Sequence, residues 1–545
     1  MAPLSPSAHR DTFARDGLPP AGQWPALIAD LPELRYPERL NCAEELLDGA
    51  IARYGADRPA LVDQDGWRWS YAELRDHVNR LAHVLVADYG LVPGNRVLLR
   101  GPNSPWLAAC WLAALKAGAV VVTTMPLLRA TELRQITDLA RVQLAVCERG
   151  LVDELAEAGF PAARTVTYTG GQGAESELLR LAAAKPDRFT AVATAADDVA
   201  LIAFTSGTSG RPKATLHFHR DVLSIADTFS AHVLRPRPDD VFIGSPPLAF
   251  TFGLGGLLVF PLRAGAAAVL LERAAPDVLF RAVERHRATV LFTAPTAYRA
   301  ALDTVRERDL SSLRRCVSAG EPLPAWVWHA FHEATGQRVI DGIGSTEMLH
   351  VFISAADDDI RVGATGRPVP GFRARVVDDD GAEVPDGTPG RLAVQGPTGC
   401  RYLSDDRQLQ QVQDGWNITG DVYVRDADGY FWYQARADDM IVTSGYNVAA
   451  PEVEQAVIRH PAVADCGVIG VPDGARGALV KSYVVLAPGY TPSDLLAAQI
   501  QEFVKQTIAP YKYPRLVEFV SSLPASATGK LQRHALRESV LAETG

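Results

Sequence analysis

Between about residue 70 and residue 300, short apolar runs of strand length alternate with stretches whose apolar residues recur at helical spacing. Tyr71 to Ala87 repeats Leu74, Val78, Leu81, Val84 and Leu85 on one helical face, and Trp106 to Lys116 also reads as helix. Arg96 to Arg100 is a short β-like run, and Ala119 to Thr124 is mostly β-branched. Such alternation predicts an α/β fold, with parallel sheets covered by helices on their faces. Arg373 to Gln395 breaks the pattern. Its short runs are punctuated by Asp-Gly, Asp-Gly and Pro-Gly turns, which predict a small antiparallel, barrel-like part. Further on come helix Glu452–Arg459, strands Val463–Val471 and Leu479–Leu486, helix Ser493–Gln506 and strand Leu516–Val520, a small α+β domain. The expected division is a large N-terminal domain over 1–437 and a small C-terminal domain over 438–545.

At 545 residues the chain exceeds what one hydrophobic core supports, which agrees with that division. A net charge of −10 argues against a nucleic-acid or anionic-membrane surface, so a phosphate-rich ligand must be held by local cations and backbone amides. The six cysteines form no CxxC pair, which argues against a zinc site or a disulfide framework and fits a reducing, cytoplasmic setting. The N-terminus shows no basic region followed by an apolar core. The most apolar stretch, Gly253 to Leu271, holds four glycines, Pro261 and Arg263, and reads as buried strand and turn rather than a membrane helix.

Val199 to Phe204 (VALIAF) reads as a buried strand, and it runs into Thr205, Ser206, Gly207, Thr208, Ser209, Gly210, Arg211, Pro212 and Lys213. Glycines let backbone fold closely around an anion, while hydroxyls and amides donate to it. The segment is not a GxxxxGK[ST] loop, since no Lys-Ser/Thr pair follows Gly210. A shorter piece of this composition would be read as a plain surface turn. The full nine residues resemble the signature loop of the adenylate-forming superfamily, which includes acyl- and aryl-CoA ligases, firefly luciferase and nonribosomal-peptide adenylation domains. That resemblance implies ATP, Mg2+ and coenzyme A as ligands. The loop residues, with Thr205 and Lys213, would contact the nucleotide.

The superfamily's other motifs follow in order. Gly342-Ile343-Gly344-Ser345-Thr346-Glu347 resembles its YGxTE motif, which implies catalytic roles for Thr346 and Glu347 near the α-phosphate and a magnesium-binding role for Glu347. A hard cation requires oxygen ligands, so the carboxylate suits it. Ile343 stands where many relatives carry an aromatic against adenine. The segment Gly320, Glu321 and Pro322, together with Asp341, Gly342, Ile343 and Ser345, is implied to line the nucleotide. Thr419-Gly420-Asp421 resembles the station whose Asp binds the ribose hydroxyls. Arg436-Ala437-Asp438 resembles the hinge motif, with Arg436 toward ribose or phosphate and Asp438 as pivot; Ser444, Gly445 and Tyr446 are implied to line the pantetheine tunnel. Lys530, closing a PxxxxGK-like segment, is implied to be the catalytic lysine of adenylation. A pre-placed ammonium there stabilises the charge that develops on the α-phosphate oxygens.

Three stretches bear on the acid. Pro247 to Gly255 is apolar and aromatic, with Phe250, Thr251, Phe252 and Gly253 as candidate substrate contacts. Asp341 to His350 resembles the benzoate–CoA ligase branch, adding Gly344 and His350. Leu216 to Asp221 with AFTFGLGG resembles 2-aminobenzoate (anthranilate)–CoA ligases and adds His219. Structural histidines are the commoner case, and plain core packing is the ordinary use of such aromatics. The expected activity is 2-aminobenzoate–CoA ligation, with benzoate or a hydroxybenzoate as alternative acid. The expected partners are a small aryl carboxylate, ATP and CoA, with no nucleic acid and no membrane. A homodimer stays open, as does a carrier protein as alternative acyl acceptor.

Overall fold

The computed structural model describes residues 4–170, 176–205, 212–443, 446–473, 477–508, 510–525 and 531–544. Of the candidate residues, Ser206 to Gly210, Ser444, Gly445 and Lys530 lie outside them. The chain divides into two compact units: residues 1–374 with 394–417, and residues 375–393 with 418–545.

The first unit holds two sheets. A six-stranded sheet runs in the order Thr165–Tyr168, Leu144–Glu148, Arg96–Arg100, Val120–Thr124, Val199–Thr205, Lys213–Phe218. Its strands are parallel except the last, which turns back antiparallel on its neighbour. A nine-stranded sheet has six central parallel strands, in the order Val339–Gly344, Arg315–Ala319, Val290–Thr293, Val241–Gly244, Ala267–Leu270, Pro59–Asp63. Antiparallel strands flank it on both edges. The parallel strands are buried on both faces, as their near-continuous apolar sequences require. Helix Pro105–Lys116 is buried except at Trp106, and it is capped by the Ser104 hydroxyl, which accepts from the Leu107 amide at 3.2 Å.

Two local expectations are corrected. The helical face of Tyr71–Ala87 is not one regular helix: an α-helix over Tyr71–His83 continues as a π-helical turn over Val84–Asp88. Gly253–Leu271 is not strand and turn but mostly helix: α over Thr251–Leu254, π over Gly255–Val259, α over Phe260–Ala264, and only then strand Ala267–Leu270. Glycine costs a helix interior about 1 kcal/mol. Here close packing outweighs that cost, because a Cβ on Gly256 would stand 2.5 Å from the Phe292 ring and one on Gly255 2.4 Å from the His350 ring.

A five-stranded sheet contains the pairs Val412–Gln413 with Trp416–Arg425 and Trp416–Arg425 with Phe431–Arg436, both antiparallel. In the second unit, strands Val463–Asp473 and Gly477–Leu486 pair antiparallel, and Leu516–Phe519 joins the latter in parallel. Helices Ala450–Ile458 and Asp494–Thr507 supply its α part, and Val453, Val457, Val468, Val484, Ile500 and Val504 share one core. Among the described residues no helix is long and apolar enough to cross a membrane.

One buried ion pair locks the strand pair that carries the hydroxyl- and glycine-rich loop. Arg401 and Asp221 are both sealed from solvent and joined by a guanidinium–carboxylate contact. The Arg401 Nε donates to the Leu216 carbonyl at 3.3 Å, and the guanidinium lies 4.0 Å from the Phe218 ring centre. Burial pushes the Asp221 carboxyl up, but Arg401, His217 and Arg220 together outweigh it and hold the pKa below the ordinary range. Asp221→Ala would strand a buried cation, a change that costs about 3–5 kcal/mol. Urea unfolding checks this, and a loss under about 1 kcal/mol would show that the pair is not desolvated.

Candidate active site

Strand Val199–Thr205 ends where the loop begins, and its last residue pairs across the hairpin with Lys213, the first residue of the returning strand. The Thr205–Lys213 pair therefore closes the loop at its base. Arg407 Nη2 also donates to the Pro212 carbonyl at 3.1 Å. The Lys213 ammonium donates to the Tyr402 hydroxyl at 3.2 Å, and Tyr402 donates to Glu347 Oε1 at 2.6 Å. The loop base and the Thr346–Glu347 motif thus meet through one phenol. Burial and the Glu347 carboxylate both raise the phenol's pKa, so it keeps its proton.

The Ser345–His350 turn follows the parallel strand Val339–Gly344 and leads into Val351–Ser354. Ser345 Oγ accepts from the Met348 amide at 3.2 Å, and the Thr346 carbonyl accepts from the Leu349 amide at 3.2 Å. Leu349 is buried with φ of 66°, a left-handed conformation that a branched residue adopts only when its surroundings impose it. The Thr346 carbonyl also lies 2.8 Å from His217 Nε2, which must donate because a carbonyl only accepts. His217 is itself 3.8 Å from Asp221, so the buried ion pair stands directly behind the motif.

On the other side of the turn lies a ring-lined wall. The His350 ring centre is 4.6 Å from Phe260, 5.3 Å from Phe229, 5.7 Å from Phe252 and 6.4 Å from Phe292. Burial, the largest influence, lowers the His350 pKa to about 3, so the imidazole is neutral at physiological pH. Phe250 and Thr251 are half-buried beside Phe252, and Gly253 packs on the Pro247 carbonyl. The Leu248 amide donates to Asn103 Oδ1 at 2.7 Å and Thr123 Oγ1 donates to the Ala249 carbonyl at 3.1 Å, which holds this stretch in place.

His219 is a correction. It is fully buried, but it caps another element: its Nδ1 accepts from the Cys42 amide at 3.2 Å, at the start of helix Cys42–Tyr54. The returning strand ends at Phe218, so His219 starts a helix and leaves the strand face that would have carried it beside His217.

Ser318 pairs with Asp341 and Ala319 with Gly342 on adjacent parallel strands, so Gly320–Pro322 and Ile343–Ser345 emerge together at the strands' carboxyl ends. Crevices at such ends are the usual ligand sites of open parallel sheets. In the second unit, Asp421 and Arg436 are register partners and form a salt bridge at 3.0 Å. Beside the candidate pivot Asp438, Asp439 is held by Arg533 at 3.0 Å and by Arg537. Tyr446 pairs with Thr443 in the strand pair that follows.

Among the described residues, no group of three His, Cys, Asp or Glu could hold a metal ion. A magnesium ion, which takes one or two protein carboxylates and completes its shell with phosphates and water, fits Glu347 without such a cluster. Tyr402 belongs to no motif noticed in the sequence, and no local signal there points to its role.

The family of AMP-binding enzymes matches residues 47–402, and the AMP-binding enzyme C-terminal domain matches residues 452–530. The chain is 35% identical to benzoate–CoA ligase from Thauera aromatica, over 93% of this chain and 98% of that protein. It is 34% identical to 3-hydroxybenzoate–CoA ligase from an Aromatoleum species, over 92% of this chain and 97% of that one. The crystal structure of an anthranilate CoA ligase in complex with anthranoyl-AMP superposes with a TM-score of 0.87 at 34% identity, over 94% of this chain and 100% of that one. The chain belongs to the AMP-binding enzymes, among the ATP-dependent, AMP-forming acid–CoA ligases.

Proposed function

We propose that the acid is an aryl carboxylate, with 2-aminobenzoate first and benzoate or a hydroxybenzoate second. The observation that carries this is the neutral His350 set among four phenylalanines, three residues beyond Glu347. Such a wall suits a flat ring, and a neutral imidazole can exchange a hydrogen bond with a ring substituent. The similarity to benzoate and hydroxybenzoate ligases supports the class, and the likeness to the anthranilate ligase structure supports the amino substituent.

The proposed reaction has two steps. A carboxylate oxygen attacks the α-phosphorus of ATP and pyrophosphate leaves; then the CoA sulfur attacks the acyl carbon and AMP leaves, the thiol proton passing to solvent. Magnesium, when bound, would neutralise charge on the phosphates, with Glu347 as its protein ligand. Thr205 to Lys213 and Thr346 would hold the phosphates, and Asp421 with Arg436 the ribose. Lys530 would serve the first step. Rotation about Asp438 would then replace it with the Ser444–Tyr446 segment for the second.

Asp341 would meet the adenine. One oxygen of its carboxyl is sealed, and burial raises its pKa to about 7. The unfolded chain ionises near 4 while the folded chain keeps the proton, so this group lowers stability progressively as pH rises from about 4 to about 7. Asp341→Asn removes the penalty. Its stability relative to the parent, followed by thermal unfolding, should therefore be more favourable at pH 8 than at pH 5; an equal difference at both would refute the buried, proton-keeping carboxyl.

Exchange of labelled pyrophosphate into ATP, measured with benzoate, 2-aminobenzoate, hydroxybenzoates and short fatty acids, tests the acid. 2-Aminobenzoate should give the highest kcat/KM. A preference for fatty acids would remove the aryl reading, and a preference for benzoate would leave only the second choice. Lys530→Ala should lower adenylation by about 100-fold or more, as loss of a transition-state charge contact does, while sparing thioester formation from supplied aryl-AMP; Asp438→Pro should do the reverse. Equal loss of both half-reactions in either variant would contradict the division of roles.

A further inference from the structure

Tyr402 is fully buried, and three polar groups converge on its hydroxyl: Lys213 Nζ at 3.2 Å, Glu347 Oε1 at 2.6 Å and Gln411 Oε1 at 3.2 Å. The directions of two of these contacts follow from chemistry alone. An ammonium only donates and a carboxylate only accepts, so the phenol oxygen accepts from Lys213 and its proton goes to Glu347. A hydrogen bond onto a carboxylate is shorter and stronger than one between neutral groups, in keeping with the 2.6 Å separation. The ring itself is anchored. The Tyr402 amide donates to Gln408 Oε1 at 2.9 Å, Tyr402 bridges Thr215 antiparallel, and the preceding residue is Arg401 of the buried ion pair.

We propose that Tyr402 is a positioning residue: it stands between Lys213 and Glu347 and fixes both, holding the carboxylate toward the metal and the ammonium toward the phosphates of magnesium–ATP. The proposal rests on the reading of Glu347 as the metal-side carboxylate. With the hydroxyl gone, cation and anion are free to close on each other, and each must be pulled from the other before magnesium–ATP binds. The phenol therefore preorganises opposite charges at a separation that a direct ion pair would abolish.

Tyr402→Phe removes the one oxygen and keeps the ring. ATP binding by the full-length chain is measured calorimetrically over a range of Mg2+ concentrations and in EDTA, with Glu347→Gln as reference. Tyr402→Phe should raise the Mg2+ concentration for half-maximal tightening of ATP by about tenfold. Its ATP affinity in EDTA should fall by a smaller factor than in saturating Mg2+, since only the ammonium is then engaged, whereas a mere packing defect would weaken both states alike. Glu347→Gln should abolish the Mg2+ dependence. If Glu347→Gln does so while Tyr402→Phe leaves the Mg2+ midpoint unmoved, or weakens ATP equally with and without metal, the role of Tyr402 is overturned and that of Glu347 stands. If Glu347→Gln leaves the Mg2+ dependence intact, both fall together.

Discussion

The site depends on a guanidinium that has no access to water. Arg401 and Asp221 are both sealed, and a buried ion pair is stable only when its geometry and remaining hydrogen bonds are well satisfied. Here one carboxylate oxygen also accepts from the Phe218 amide at 2.9 Å and the guanidinium reaches the Leu216 carbonyl and the Phe218 ring, while the other carboxylate oxygen and one guanidinium nitrogen have no hydrogen-bond partner among the described residues. The segment around residue 401 is thereby bolted to the strand that returns from the loop. Its neighbours extend the grip, Tyr402 to Lys213 and Arg407 to the Pro212 carbonyl. The base of the loop, Thr205 with Pro212 and Lys213, is fixed by these contacts.

The Ser345–His350 turn is the second organising element. It carries a carboxylate on one side and an imidazole on the other, and it is held by a histidine from behind and by a left-handed Leu349 within. The two side chains live in opposite surroundings. Glu347 is engaged by a phenol that itself contacts an ammonium, whereas His350 is kept neutral by burial. A polar cluster and an apolar ring cluster are separated by only three residues of chain.

The parts legible in the sequence were those whose chemistry is contiguous. The alternation of strand and helix announced parallel sheets because both faces of such strands must be apolar. The loop and the Thr346–Glu347 motif were readable because several ligating groups sit side by side in each. What escaped was set by distance or by context. Tyr402 meets partners 55 and 189 residues away, which no local pattern can display. His219, implied by resemblance to line the acid, lies just past the strand's end at Phe218 and starts a helix, where its ring caps a neighbouring helix. The Gly253–Leu271 helices were missed because they are apolar all round, which erases the helical periodicity, and because their glycines argue against helix on propensity alone.

Those glycines also constrain how the ring cluster can be altered. At Gly255 and Gly256 the His350 and Phe292 rings rest on bare main chain, across a π-helical turn. On that flank there is no side chain left to shorten, so point substitution there can only shrink the space. More room on that flank would have to come from trimming the rings themselves, Phe252 or His350, at the loss of aromatic contact. The wall has a built-in asymmetry: it is easily narrowed from the helix and widened only from the opposite side.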